Sequence, residues 1–296
     1  MNARGKADRA AHVLRHLLLA LVAATMIFPL LLVVAISVSD EEALSRHGYR
    51  LWPERFDLAG YRAVLAHPQA LLDAYGVTVL VTVAGTAAGL LFTAMAAYAM
   101  SRKDYRFRKA TTFFIVFTML FSGGLVPFYI LIVKYLHLKD TLWALILPYL
   151  VNPFYMLIMK GFMDRMPMEV VESAKLDGAG EYRTFFRIVL PLAVPALATV
   201  GLFISFVYWN DWWLGLLFID RDSRIPLQLL LYRTMNAIEF YAANAQYLSG
   251  KVDVAKFPGL SARMALAVLG AGPMLFLFPL FQRYFVKGLT VGSVKE

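Results

Sequence analysis

Six stretches of this 296-residue chain are long and apolar enough for a helix to cross a bilayer, and they limit its fold more than any other feature. They occupy residues 17–36, 75–100, 111–133, 141–159, 194–219 and 262–281. A hydrocarbon layer of roughly 30 Å needs about 20 such residues, and one charge at its centre costs roughly 2.5–3.5 kcal/mol on insertion scales. Each stretch is almost free of charge. With 60% hydrophobic and 17% charged residues, the chain lies far outside the usual make-up of a soluble domain. The expected fold is therefore an all-α membrane protein with six transmembrane helices in one transmembrane domain, residues 1–296. Residues 134–140 alone separate the third and fourth stretches, which predicts a tight membrane hairpin. The first stretch has a basic lead-in (Arg4, Lys6, Arg9, Arg15) and a small-x-small site at Ser37-Val38-Ser39, both features of a cleaved signal. Its apolar core of about 20 residues exceeds the 7–15 of a signal peptide, so it is read as a retained span. The absence of cysteine rules out disulfides and Cys-based metal sites.

The charge pattern predicts orientation. With both termini on one side, that side carries 17 of the 29 Lys and Arg but only 8 of the 20 acids, so the whole net charge of +9 falls there. Cytoplasmic segments carry the excess of Lys and Arg, so both ends are expected in the cytoplasm and the chain is a multi-pass protein of the cytoplasmic membrane. A basic pI then requires no nucleic acid partner. The outer connections 37–74 and 220–261 are longer than neighbouring helices need, which points to function.

The cytoplasmic connection 160–193 is the most informative. Pro167 suits the first position of a helix, Glu169 its first turn, and Gly178 the left-handed position that ends it. A second short helix is expected over about 180–189, with Pro191 and Pro195 marking the start of the fifth span. The predicted unit is a helix–glycine turn–helix. It combines apolar Val170, Val171, Ala174, Phe185 and Ile188 with exposed charges, a mixture suited to docking on another protein.

The residues Glu172-Ser173-Ala174, then Asp177-Gly178-Ala179, Ile188 and Leu190-Pro191 resemble the "EAA" loop of permease subunits of bacterial binding-protein-dependent ABC importers. Ser173 stands where that pattern prefers Ala, a small-for-small change. The six-span layout, Trp209-Asn210-Asp211-Trp212 and the ending Tyr284–Lys295 are similar to maltose-importer-type sugar permeases, in particular the second permease of oligosaccharide systems, a branch that includes alginate importers. The resemblance implies that the chain forms half of the pathway for a carbohydrate, an oligosaccharide or an acidic one such as alginate fragments. It implies a coupling helix in 160–193, with Glu172, Ser173, Ala174, Asp177, Gly178, Ala179, Ile188, Leu190 and Pro191 docking on the ATPase, Glu172 pairing with a basic residue there, and the tail touching the ATPase dimer. Partners implied are a second homologous permease, two ATP-binding subunits that hold ATP and Mg, and a periplasmic or membrane-anchored solute-binding protein, all at the bacterial inner membrane.

No Gly-x-x-x-x-Gly-Lys-Ser/Thr cradle, His-Glu-x-x-His or Gly-x-Ser-x-Gly occurs, so no enzyme activity, ATPase site or cofactor is expected in this chain itself. Gly85 and Gly89 permit close helix approach, within the subunit or against the partner permease. Asn152-Pro153 interrupts the fourth span. Tyr149, Asn152 and Tyr155 fit either a wet sugar path or packing around that kink. Tyr208, Asn210 and Asp211 near the outer boundary fit a pathway role, and Trp209, Trp212 and Trp213 beside them fit interface anchors. For contact with the binding protein the candidate is the polar segment 244–259, with Asn244, Gln246, Tyr247, Asp253 and Lys256. The alternative class, an ion-coupled secondary transporter, calls for mid-membrane acids and an internal repeat, and neither is evident.

Overall fold

The computed structural model describes residues 3–66, 68–244 and 259–290. Among them every regular element is a helix, and one antiparallel bridge joins Ser39 and Phe56. Three of the described helices are long and apolar enough to cross a membrane unbroken: α1 (Ala3–Ser37), α4 (Pro68–Ser101) and α15 (Leu260–Thr290). Three bent pairs qualify if each is counted as one span, giving up to six in all. These are α5 (Arg108–Leu120) with α6 (Leu125–Ile130) and the wide turn that prolongs it to Tyr135, α7 (Trp143–Leu150) with α8 (Pro153–Met163), and the segment Glu181–Leu192 with α12 (Val194–Trp209).

Each bend has a local cause. The first, 112°, falls at Phe121–Gly124, where Gly124 takes φ +83° and the Ser122 hydroxyl accepts from its N–H. The second, 47°, falls where Pro153 lacks an N–H and the Asn152 carboxamide accepts from the N–H groups of Phe154 and Tyr155 at 3.0 and 3.4 Å. The third, 82°, falls at Ala193 between Pro191 and Pro195.

Two expectations need correcting. The apolar run 194–219 is not one helix: α12 ends at Trp209 and α13 (Trp213–Phe218) restarts after a break. Asn210 turns its amide back onto the Phe206 carbonyl (2.9 Å), and the Asp211 carboxylate accepts from the Leu214 N–H, so polar side chains end one helix and begin the next. The connection 220–261, expected as a polar loop, contains the helix α14 (Leu227–Ala243), with Leu227 and Leu229 fully buried. Its first N–H donates to the Thr78 hydroxyl on α4 at 2.7 Å, a cap from 149 residues away.

The chain divides into two compact units, Met1–Pro68 with Arg233–Ala271, and Gln69–Tyr232 with Gly272–Glu296. In the first, α2 (Glu41–His47) is capped by Asp40, and the Glu41 carboxylate accepts from the N–H groups of Leu260 and Ser261 at 2.8 and 3.0 Å. The start of α15 is thus capped from more than 200 residues away. The residue Gly60 on α3 (Ala59–Val64) meets the Ser261 backbone so closely that a Cβ would lie 2.7 Å from it. The apolar stretch of α1 is exposed up to Leu31. In the second unit, Ala94, Ala97, Met159, Met163, Val200 and Phe218 form the centre of the core.

Candidate functional site

The helix–turn–helix between α8 and α12 is fixed by its own backbone chemistry. Helix α9 (Met168–Leu176) begins one residue later than expected, with Pro167 at the cap, and has Glu169 in its first turn. It ends on Gly178, whose φ of +77° is accessible to glycine without strain. The Ala179 N–H donates to the Ala174 carbonyl (2.9 Å) and the Gly178 N–H to that of Lys175 (3.0 Å), which satisfies two orphan carbonyls of the last turn. Then α10 (Glu181–Thr184) leads through a wide turn, Phe185–Val189, in which Leu190 N–H bonds the Phe185 carbonyl. Pro191 has no N–H to continue the regular ladder.

One side of this element is buried: Val171, Ala174, Thr184, Phe185 and Val189. The other exposes large apolar groups among charges: Val170, Leu176 (88% exposed), Tyr182 (75%) and Phe186. Val171, Ala174 and Phe185, which the sequence grouped with the docking mixture, lie on the buried side. They hold the element to the bundle, and Leu176 and Tyr182, which the sequence did not single out, face outward. Glu172, Ser173, Asp177, Gly178 and Pro191 are exposed, and Ala179, Ile188 and Leu190 are half-buried.

A lattice of four charges ties both helices to the end of α4. Arg102, 7% exposed, donates to both Asp104 oxygens at 3.0 and 2.6 Å and lies 3.7 Å from Glu181. Lys175 on α9 reaches Asp104 at 3.0 Å and Glu181 at 2.7 Å. The Tyr98 hydroxyl donates to Glu181 at 3.0 Å, and the Tyr98 ring lies against Phe185. The hydrogen bond from Arg102 holds the Asp104 carboxyl well below the usual carboxylate range, and that from Lys175 lowers Glu181. Glu181 in turn raises Lys175, and Asp104 raises Arg102. A cleft of about 390 Å³ opens beside the lattice, walled by Met95, Tyr98, Tyr105, Tyr182 and Phe185. Nearby, Asp164 takes Arg108 at 3.1 Å and Lys160 at 2.5 Å.

A second polar group lies at the break between α12 and α13. The Tyr149 hydroxyl donates to Asp211 at 2.8 Å, and Tyr208, 3% exposed, donates to the Ile146 carbonyl at 2.8 Å. The Tyr208 ring fills the space over Gly85, where a Cβ would come within 2.4 Å of it. Gly89 faces the Leu150 carbonyl, so both glycines serve packing within the subunit.

Comparison with known proteins places this architecture. Residues 85–291 match the model of the binding-protein-dependent transport system inner membrane component. The chain belongs to that family. It is 38% identical over 290 residues to Protein LplC of Bacillus subtilis (strain 168), covering 98% of this chain and 96% of that one. It is 36% identical over 270 residues, 91% and 92% of the two chains, to the polygalacturonan/rhamnogalacturonan transport system permease protein YtcP of the same organism. Its fold is similar, at a TM-score of 0.80 and 26% identity over 96% of this chain and 99% of the other, to a chain from the crystal structure of a bacterial ABC transporter involved in the import of the acidic polysaccharide alginate.

In this permease the expected pathway residues separate. Tyr208 is a core residue with its hydroxyl already engaged, and Asn152 caps α8 while Tyr155 stacks on Phe203. Tyr149 and Asp211 are joined to each other, and Asn210 is exposed. Trp209, expected at the membrane interface, is buried, Trp212 stacks on Tyr232, and Trp213 is exposed. Of the expected binding-protein contacts, Asn244 closes the end of α14 through a bond to the Phe240 carbonyl, and Gln246, Tyr247, Asp253 and Lys256 lie outside the described residues. The tail from 291 lies outside them too. Arg102, the hub of the lattice, was legible in the sequence only as one more basic residue after a span.

Proposed function

We propose that this permease forms half of the translocation pathway of an ATP-driven importer, and that α9 and α10 are the element through which the ATPase drives it. The observation that carries this reading is the exposed face of Val170, Leu176, Tyr182 and Phe186 on a unit whose opposite side is held to the bundle. Apolar groups gathered on one short, firmly held, water-facing element fit an interface with another protein. Under this reading six spans lie in one domain across the bacterial inner membrane, the fifth starting at α12, both termini are cytoplasmic, and residues 160–193 dock on one of two ATP-binding subunits. ATP and Mg are held by those partners. A second permease completes the pathway, and an external binding protein delivers the solute.

The substrate class we propose is an oligosaccharide, and within it an acidic one. Support comes from a relative named for polygalacturonan and rhamnogalacturonan transport and from the alginate importer that shares the fold. Tyr149, Asn210 and Asp211 remain the candidate polar contacts with the pathway. Co-expression with the partner permease and ATPase subunits is expected to yield one complex, and vesicles containing it are expected to take up alginate oligosaccharides only with ATP and the binding protein. Uptake by this chain alone, driven by an ion gradient, would return the case to a secondary transporter.

A further inference from the structure

Four charged side chains meet where α4 ends and α9 turns into α10, although they are up to 79 positions apart in the chain. Arg102 is nearly buried, and its charge is offset by Asp104 and Glu181. Burying a guanidinium is expensive unless carboxylates pair with it, so Arg102 has strong reason to keep both partners in place. Lys175 joins the same two carboxylates from α9. The docking element therefore has two attachments to the bundle that the chain does not provide: the apolar contacts of Val171, Ala174 and Phe185, and this lattice. Apolar burial is non-directional, whereas hydrogen-bonded charges fix distance and direction. The lattice grips α4, which carries Gly85 beneath the Tyr208 ring and Thr78 against the first N–H of α14.

We propose that Arg102 is a positioning residue that makes the end of α4 and the α9–α10 element move as one body, so that displacement of the docking element is delivered to α4 directly. The inference rests on the ATPase-docking reading above but makes a separate claim, since docking depends on the exposed apolar groups Val170, Leu176, Tyr182 and Phe186, whereas the joint depends on the charges that reach Arg102.

The chain has no cysteine, so Lys103→Cys and Arg183→Cys, both at exposed sites, give a unique pair for spin labels on the two sides of the lattice. In the assembled complex, without nucleotide and then with ATP, Mg and vanadate, the inter-label distance is expected to hold within about 2 Å, well below the roughly 5.4 Å of a one-turn shift of one element past another. With Arg102→Gln the distance distribution should broaden and its mean should differ between the two states. Arg102→Lys should restore part of the wild-type behaviour. Lys175→Met, at a half-exposed site that leaves the Arg102–Asp104 pair intact, should reproduce the broadening if Arg102→Gln does not assemble. A distance that changes between states in the otherwise unaltered pair, or one that stays fixed in both lattice variants, overturns the proposal. Failure of the unaltered chain to bind the ATPase would instead count against the docking reading.

Discussion

Two polar clusters hold the larger unit together, and they are built on opposite principles. Where α9 and α10 meet the end of α4, four charges meet in partial contact with water, with Asp104 and Glu181 more than half exposed. At the break after α12, two tyrosine hydroxyls donate to one carboxylate and one backbone carbonyl, Tyr149–Asp211 part-buried and Tyr208–Ile146 buried. Charges in partial contact with water form directional contacts of modest strength that salt weakens. Buried hydrogen bonds contribute little net but cost about 1–3 kcal/mol when one partner is lost. The first cluster suits a joint that must transmit displacement, and the second suits a joint that must keep its shape.

The largest effect expected on this contrast comes from Gly178→Pro. Proline fixes φ near −65°, against the observed +77°, and removes the N–H that bonds the Lys175 carbonyl. Membrane insertion should be normal while ATP-dependent uptake falls to background, a split read by fractionation and vesicle transport. Next, Gly85→Ala places a Cβ within 2.4 Å of the Tyr208 ring, which its hydroxyl bond holds in place. Overpacking of this kind costs roughly 1–3 kcal/mol, measurable as a lower unfolding midpoint in detergent. Gly89→Ala, 3.2 Å from the Leu150 carbonyl, should cost less.

Salt should separate the two clusters without any mutation. At 1 M the screening length is about 3 Å, so amide exchange in α9 and α10 should accelerate while that around Tyr149 and Tyr208 stays level. The smallest effect concerns pH. Asp104 and Glu181 titrate lower in the fold, so their contribution is complete above the ordinary carboxylate range and is lost as pH falls through their lowered values. Lys175 is raised, so its contribution is complete below the ordinary lysine range and is lost only as pH rises through its raised value. Protection of the α9 amides, taken relative to the intrinsic exchange rate at each pH, should therefore be unchanged between about pH 6 and 9, within the ordinary carboxylate and lysine limits. A step inside that window would show that another group controls the joint.

What the sequence disclosed and what it hid divide along chain distance. The cap at Pro167, the glycine turn at 178, the kink at Asn152-Pro153 and the bend near Pro191 depend on residues within one or two turns, so local rules reach them. The Tyr149–Asp211 bond, the Thr78 cap on α14 and the Glu41 cap on α15 join residues 62, 149 and 219 or more apart, and no periodicity signals them. Helix α14 was missed because its apolar residues are interleaved with Arg233, Asn236 and Glu239 and it follows a proline that reads as a loop. Buried Val171 and exposed Leu176 are both apolar, and only the packing of α9 shows which of them is free to meet a partner.

A single thiol tests the central claim most directly. In the cysteine-free chain, Leu176→Cys should react with a membrane-impermeant maleimide in inside-out vesicles, resist it in right-side-out vesicles, and become protected when the ATPase subunits are bound. Labelling from the outer side, or equal labelling with and without the ATPase, would contradict the account.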